Sequence, residues 1–293
     1  MSRLVFLGTP EVAAGTLRAL VEGGHDVALV VTRPDRRRGR RAPPSPTPVG
    51  KVARTLGIAV TERVEDVMGV GAPFGVVVAF GRIIAAEVLK RVPMLNLHFS
   101  LLPRWRGAAP VERAILAGDP TTGVCLTAVE EGLDTGPVFA CRQVAIGAEE
   151  TADELRRRLG DLGSSLLLDL LGRPHGLPEP VPQCGEPTYA AKLTPLELRL
   201  DFRRPALEVA RVVRVGRAWT TFRGRRLLVV AARPRPPGAA PVPARPGLLE
   251  GSLVHTGAGV LELLTVQSAG RGPLPFAAWS SGARPSPGEF LGD

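Results

Sequence analysis

The chain has 293 residues, 44% of them hydrophobic, and a formal charge of +9. That length buries a substantial core and favours two domains over one. No apolar run is long enough to span a membrane, and the N-terminus "MSRLVFLGTP" carries no signal-peptide core or cleavage site. The positive charge says less than its size suggests, because 34 of the 37 basic residues are arginine, as a compositional bias towards Arg, Ala, Gly and Pro would give.

The first element, "RLVFLG", is a short apolar run ending in glycine and predicts a buried strand. "PEVAAGTLRALVEGG" follows with Val12, Leu17, Leu20 and Val21 at helical spacing, a proline near its start and a glycine pair at its end. "VALVVT" predicts a second strand, and the strand–helix–strand order implies a parallel α/β sheet. Residues 33–41, "RPDRRRGRR", then place six arginines against one aspartate, and the prolines of "APPSPTPVG" exclude regular structure behind them. The repulsion within this stretch predicts a mobile loop. "VGKVARTLG" predicts a short helix, "FGVVVAF" a buried strand and "AAEVLKRV" a helix.

"MLNLHFS" alternates Leu95, Leu97 and Phe99 with Asn96, His98 and Ser100, which is the period of a strand. Asn96 and His98 therefore project side by side near a strand end, where parallel α/β folds place their ligands. "APVERAILAGD" predicts a helix, "GVCLTAVEE" a strand, "GLDTGPV" a tight turn, and "TADELRRRLGDLGSSLLLDLL" a long amphipathic helix. The cysteines, Cys125, Cys141 and Cys184, are odd in number and lack metal-ligand spacing. They are expected as buried free thiols, with no disulfide and no metal site.

From about Gly172 the texture becomes rich in proline and glycine. Beyond it, "AWTTFRGRRLLVVAARP", "GSLVHTGAGVLELLTVQSAG" and "LPFAAWSSG" predict short strands with glycine-containing turns, hence a small β-barrel-like domain. "PRPPGAAPVPARPG" is expected as a mobile excursion between two of those strands. The expected organisation is a Rossmann-like, mainly parallel α/β domain over residues 1–187, a linker over 188–204, and a smaller OB-like β-barrel over 205–293. Residues 205–293 hold eleven arginines against five acidic residues. Two basic regions around a nearly neutral body suit a large polyanion that touches both, with solvated arginine surfaces as the alternative.

"GTPEVAAG" has neither the G-x-G-x-x-G fingerprint nor a G-K-[ST], and no serine or cysteine stands in a nucleophile context. Asn96, His98 and Asp134 form the best constellation. An amide donates to a developing oxyanion, an imidazole moves a proton, and a carboxylate in a glycine-flanked turn orients that imidazole. Whether Asp134 meets His98 is a question of folding.

"LNLHFSLLPRWRGAAPVERAILAGD" followed by "TGVCLTAVEEGLDTGPV" closely resembles the signature of the folate-dependent formyltransferases. "FLGTPEVAAGTLRAL", "VVVAFGRII", "YAAKLT" and "LELLTVQSAGRGPLP" extend the resemblance nearly end to end, and "RPDRRRGRRAPPSPTPVGKVA" resembles the basic insertion of the branch that acts on tRNA. The resemblance implies 10-formyltetrahydrofolate as formyl donor, no metal, and the α-amino group of initiator methionyl-tRNA as acceptor; a formyltransferase for an amino sugar or other small amine is the alternative. It implies Asn96, His98 and Asp134 as catalytic residues. Phe80, Gly81, Ile83 and Ile84 would line the pterin pocket, with Ser100, Leu101, Leu102 and Pro103 beside it. Arg36, Arg37, Arg38, Arg40 and Arg41 would meet the acceptor stem. A cytoplasmic monomer without an obligate protein partner is expected. Three departures stand out: Phe80 where the family usually has tyrosine, a shortened stretch over 61–73, and no proline-rich segment within "VRVGRAWTTFRG".

Overall fold

The computed structural model describes residues 2–37, 44–235 and 245–292. The chain forms two compact units. The first comprises residues 1–111, 121–145 and 155–191; the second comprises 112–120, 146–154 and 192–293. Residues 188–204 are thus divided between the two at Ala191.

In chain order the elements up to Ala191 begin with β1 (Arg3–Gly8), α1 (Glu11–Glu22), β2 (Asp26–Val31), β3 (Arg36–Arg37) and β4 (Pro44–Ser45). They continue with α2 (Pro48–Thr55), β5 (Val60–Thr61), a 3-10 turn over Val64–Gly69, β6 (Phe74–Val78), α3 (Ala86–Arg91) and β7 (Met94–His98). β8 (Arg106–Gly107), α4 (Pro110–Ala117), β9 (Thr121–Ala128), β10 (Val138–Ala145), α5 (Ala152–Leu171) and β11 (Tyr189–Ala190) complete this part.

Seven strands make one sheet in the order β10-β9-β7-β6-β1-β2-β5, parallel from β5 to β7 and antiparallel across β9 and β10. β1 is central and covered on both faces, so Leu4, Val5, Phe6 and Leu7 are all fully buried and its sequence runs apolar without alternation. α1 buries Ala13, Ala14, Thr16, Leu17 and Leu20; of the four residues that set its helical spacing, Leu17 and Leu20 are buried and Val12 and Val21 are half-buried. α2 begins where Thr47 accepts a hydrogen bond from the Gly50 amide at 3.0 Å and Pro48 presets the first helical φ.

α5 approaches the sheet closely because it carries glycines where it crosses its neighbours. A Cβ on Gly163 would lie 2.7 Å from two Leu97 methyl carbons, and one on Gly160 would lie 2.5 Å from Val12. Leu97 belongs to β7, so this crossing sets the position of the strand that carries Asn96 and His98.

The second unit contains α6 (Ala206–Val215), β12 (Trp219–Phe222), β13 (Arg225–Arg235), β14 (Leu249–Glu250), β15 (Leu253–His255), β16 (Val260–Ser268), β17 (Leu274–Pro275) and α7 (Phe276–Ala283). Its antiparallel sheet has the order β12-β13-β16-β15-β14, with β17 on β16. The C-terminal residues join its two ends: Phe290 bridges Leu248 beside β14, and Leu291 bridges Phe222 of β12. That bridging makes the sheet barrel-like, as expected, since each edge receives a partner. Phe222, Phe276 and Trp279 fill it, the Trp279 ring meeting Phe222 edge-on at 5.1 Å.

Several elements differ from the sequence expectation. "FAAWSSGA" is the helix α7 and not a strand, because Phe276 and Trp279 are three residues apart and bury one helical face. α6 and β10 lie outside that expectation; α6 is rich in valine, whose branching lowers helix propensity, and packing of its buried face prevails. The cysteine expectation is overturned. Cys125 and Cys141 are joined in a disulfide, and Cys184 is exposed. The two bonded residues stand directly opposite each other in the β9–β10 register with Cα atoms 4.2 Å apart, a neighbourhood that sequence spacing does not disclose. The excursion 234–247 lies largely outside the described residues.

Two glycine substitutions are expected to act in opposite directions. Gly163→Val overpacks α5 against Leu97 and is expected to lower stability by about 1–3 kcal/mol. Gly15→Ala, mid-helix in α1 with nothing within 4 Å of the new methyl, is expected to raise it by about 0.4–1 kcal/mol. Denaturant unfolding of the two variants measures both, and an undiminished stability for Gly163→Val would show that the close approach to Leu97 does not hold α5 in place.

Candidate active site

The carboxyl ends of β1, β6 and β7 are level with one another: Gly8 pairs with Val78, and Val78 with Leu97. The sheet grows outward from β1 in both directions, through β2 on one side and β6 on the other. The loops that leave these strands therefore gather at a topological switch point, the place where open α/β sheets bind ligands. Residues 79–84 follow β6 there, and residues 99–105 follow β7.

Asn96 and His98 sit on β7 as predicted, and the fold brings Asp134 to them. The Asn96 amide nitrogen donates to Asp134 Oδ1 at 3.2 Å. Asp134 Oδ2 lies 3.5 Å from His98 Nδ1 and accepts a hydrogen bond from the Gly107 amide at 2.8 Å. His98 Nε2 meets the Trp105 carbonyl at 2.9 Å. A carbonyl only accepts, so Nε2 carries the hydrogen in this contact and Nδ1 is the nitrogen turned towards the carboxylate. The His98 and Asp134 side chains are only 6% and 14% exposed, which screens these contacts from water.

The turn that carries Asp134 is held tightly. A Cβ at Gly136 would lie 1.9 Å from the Ala128 carbonyl oxygen, so only glycine lets the turn rest on the end of β9. Asp134 itself has φ +52°, Trp105 +62° and Ala79 +45°. Left-handed backbone at non-glycine residues persists only where its surroundings impose it, and it clusters at functional sites.

The remaining predicted positions have mixed environments. Phe80 and Ile84 are buried in the core cluster under β1, β2 and β6, whereas Ile83 is 90% exposed. The Gly81 carbonyl accepts a hydrogen bond from Arg33. Ser100 is fully buried, with its hydroxyl donating to the Arg104 carbonyl at 2.6 Å, and Leu101, Leu102 and Pro103 are half-buried. Arg36 and Arg37 pair with Ser45 and Pro44 in the two-stranded β3–β4 ribbon, and Arg37 is exposed. Arg38, Arg40 and Arg41 lie outside the described residues.

Sequence reasoning missed the segment 181–190. It returns to the site from beyond α5: Val181 exchanges two 2.8 Å backbone hydrogen bonds with Val138, and β11 pairs with β8. Thr188 accepts the Trp105 amide on its hydroxyl at 2.9 Å and the Arg106 amide on its carbonyl at 2.8 Å. The same stretch brings Gln183 to the Asp134 turn. Only "YAAKLT" pointed to this region, through resemblance and not through any chemical pattern.

Residues 2–171 match the formyl transferase family, and residues 192–284 match the formyl transferase C-terminal domain. The chain belongs to the formyl transferase family. A methionyl-tRNA formyltransferase of Dinoroseobacter shibae is 45% identical over 285 residues, 92% of this chain and 93% of the relative, so the enzyme stands within that branch. The solved methionyl-tRNA formyltransferase of Clostridium thermocellum shares the fold at 17% identity, with a TM-score of 0.61 over 80% of this chain and 94% of that one. HypX of Aquifex aeolicus, crystallised with tetrahydrofolic acid, gives a TM-score of 0.68 at 19% identity over 98% of this chain. The enzyme spans 48% of HypX, about half its length. No helix among the described residues is long and apolar enough to cross a membrane.

The His98 tautomer is open to direct measurement. Histidine 15N NMR is expected to show a hydrogen on Nε2 of His98. A bare Nε2 with hydrogen on Nδ1 alone would contradict the hydrogen bond to Trp105.

Proposed function

We propose that the enzyme transfers the formyl group of 10-formyltetrahydrofolate to the α-amino group of methionyl-initiator tRNA, as a monomer in the cytoplasm. The observation that carries this reading is the meeting of the Asn96 amide, the His98 imidazole and the Asp134 carboxylate at the carboxyl edge of a sheet whose chain belongs to the formyl transferases. The folate supplies a formyl carbon on N10. Attack by the amine makes a tetrahedral oxyanion, and cleavage of the C–N10 bond leaves a formamide and tetrahydrofolate, with the proton lost by the amine balanced by the one gained at N10.

Each site residue has work suited to its contacts. One Asn96 N–H is committed to Asp134, which aims the other at the oxyanion. His98 Nε2–H serves the same oxygen when the formyl group replaces the Trp105 carbonyl as its partner. Asp134 fixes both side chains and stabilises positive charge on the imidazole as the amine proton is handed on. The exposed Ile83, next to the left-handed Ala79 and Gly81 turn, suits a flat pterin ring that would cover it. An α-amino group with a pKa near ~7.7 supplies neutral nucleophile without strong base catalysis.

The acceptor follows from the rest of the chain. A small amine needs no basic insertion at 33–41 and no arginine-rich second unit, whereas the phosphates of a tRNA need both. Transfer of labelled formyl from the folate to methionyl-tRNA, with uncharged tRNA, free methionine and a nucleotide-linked amino sugar as controls, tests this reading. Transfer to the amino sugar alone would replace it.

Two outcomes are expected in that assay. Asn96→Ala and His98→Ala each lower turnover roughly a hundred- to a thousandfold while the protein stays folded. A folded His98→Ala enzyme with normal turnover removes the imidazole from the chemistry. Neutralising Arg36, Arg37 and Arg38 together raises the KM for tRNA and flattens the log-affinity against log-salt slope by about 0.7–0.9 for each phosphate that is no longer neutralised. An unchanged slope would leave these arginines with no part in binding.

A further inference from the structure

Gln183 uses all four of its hydrogen-bonding capacities around the Asp134 turn. Its amide nitrogen donates to the Asp134 carbonyl and to the Gly136 carbonyl, each at 2.8 Å. Its amide oxygen accepts from Arg106 Nε at 3.1 Å and from Arg106 Nη2 at 2.7 Å. The partners leave no ambiguity in the orientation of the amide, since carbonyls only accept and a guanidinium only donates.

The two structures that Gln183 joins are those that meet at the carboxylate. The Asp134–Gly136 backbone holds the side chain that accepts from Asn96, and Arg106 precedes Gly107, whose amide donates to Asp134 Oδ2. Trp105, the partner of His98 Nε2, precedes Arg106 and is held by Thr188 of the same returning segment. A displacement of Gln183 would therefore move both the carboxylate and the loop opposite it. Asp134 sits in the left-handed region at φ +52°, and the contacts of Gln183 with the Asp134 and Gly136 carbonyls hold that turn in place.

We propose that Gln183 is a positioning residue for the formyl-transfer step, acting through Asp134 by locking its turn to the 105–107 loop. This rests on the reading of function above. Misplacing a reacting group by about 1 Å costs up to ~100-fold in rate. Losing the lock therefore lowers kcat while the folate and tRNA binding surfaces, and so both KM values, stay as they are.

The test compares two variants in the methionyl-tRNA formylation assay. Gln183→Met keeps the volume and removes all four hydrogen bonds. Gln183→Glu keeps the pairing with Arg106 and replaces the donating nitrogen with an oxygen that faces two carbonyls. Both are expected to fold, with kcat lowered on the order of 10–100-fold and KM unchanged. In an Asp134→Ala background, Gln183→Met is expected to cause a smaller loss than in the wild type, because the two changes share the Asp134 carboxylate.

Wild-type kcat in either folded variant overturns the inference. A loss confined to KM, or a full additional loss on top of Asp134→Ala, overturns it as well, as does failure of both variants to fold, which leaves Gln183 a purely structural residue. Wild-type enzyme that formylates no methionyl-tRNA removes the reading of function itself; active wild type with unaffected variants removes only the role of Gln183.

Discussion

One carboxylate organises the site. Asp134 accepts from the Asn96 amide on one oxygen and from the Gly107 backbone on the other, and that second oxygen faces His98 Nδ1. Burying a carboxylate is costly unless its oxygens are hydrogen-bonded, and each oxygen of Asp134 accepts a hydrogen bond. The arrangement draws on three places in the chain: the strand β7, the loop ahead of α4, and the turn that carries the carboxylate itself. Removing any one of these would leave the others aimed at nothing.

The fold meets that demand by convergence of loops on a level strand edge. β7 is held in position on one face by Leu97 against Gly163 and at its sides by β6 and β9. The carboxyl end of β6 then delivers residues 79–84 alongside His98. The segment 181–190 closes the arrangement, passing from Val138 through the Asp134 turn to β8. Its proline and glycine content, which reads as linker texture, is compatible with an extended chain whose polar groups pair with loops and not with a regular sheet.

The proposed chemistry asks little of the protein beyond orientation. The amine is a competent nucleophile near neutrality, and the developing charge is a single oxygen that two donors can receive. Discrimination then falls to the surfaces beyond the site. There the arginine-rich composition matters, because guanidinium groups bind phosphate with defined geometry as well as charge. In the second unit Trp219 lies beneath the guanidiniums of Arg199 and Arg226, at 5.6 and 4.5 Å from its ring centre. Such stacking holds arginines in fixed directions on a surface.

Much was legible in the amino acids alone. The uninterrupted apolar run of β1, the helical stripe of α1 and the alternation over 94–98 determined the parallel sheet and the side-by-side projection of Asn96 and His98, because each is a local consequence of backbone period. The glycines around Asp134 marked a tight turn for the same reason. Tertiary structure decided everything that depends on register and return. It set the 3.5 Å approach of Asp134 to His98 across 36 positions of sequence, the opposition of Cys125 and Cys141, the helical state of α7, and the arrival of Gln183 from beyond α5. Local periodicity says which face a side chain takes; it is silent on which distant segment will pack against that face, and it is there that this site is made.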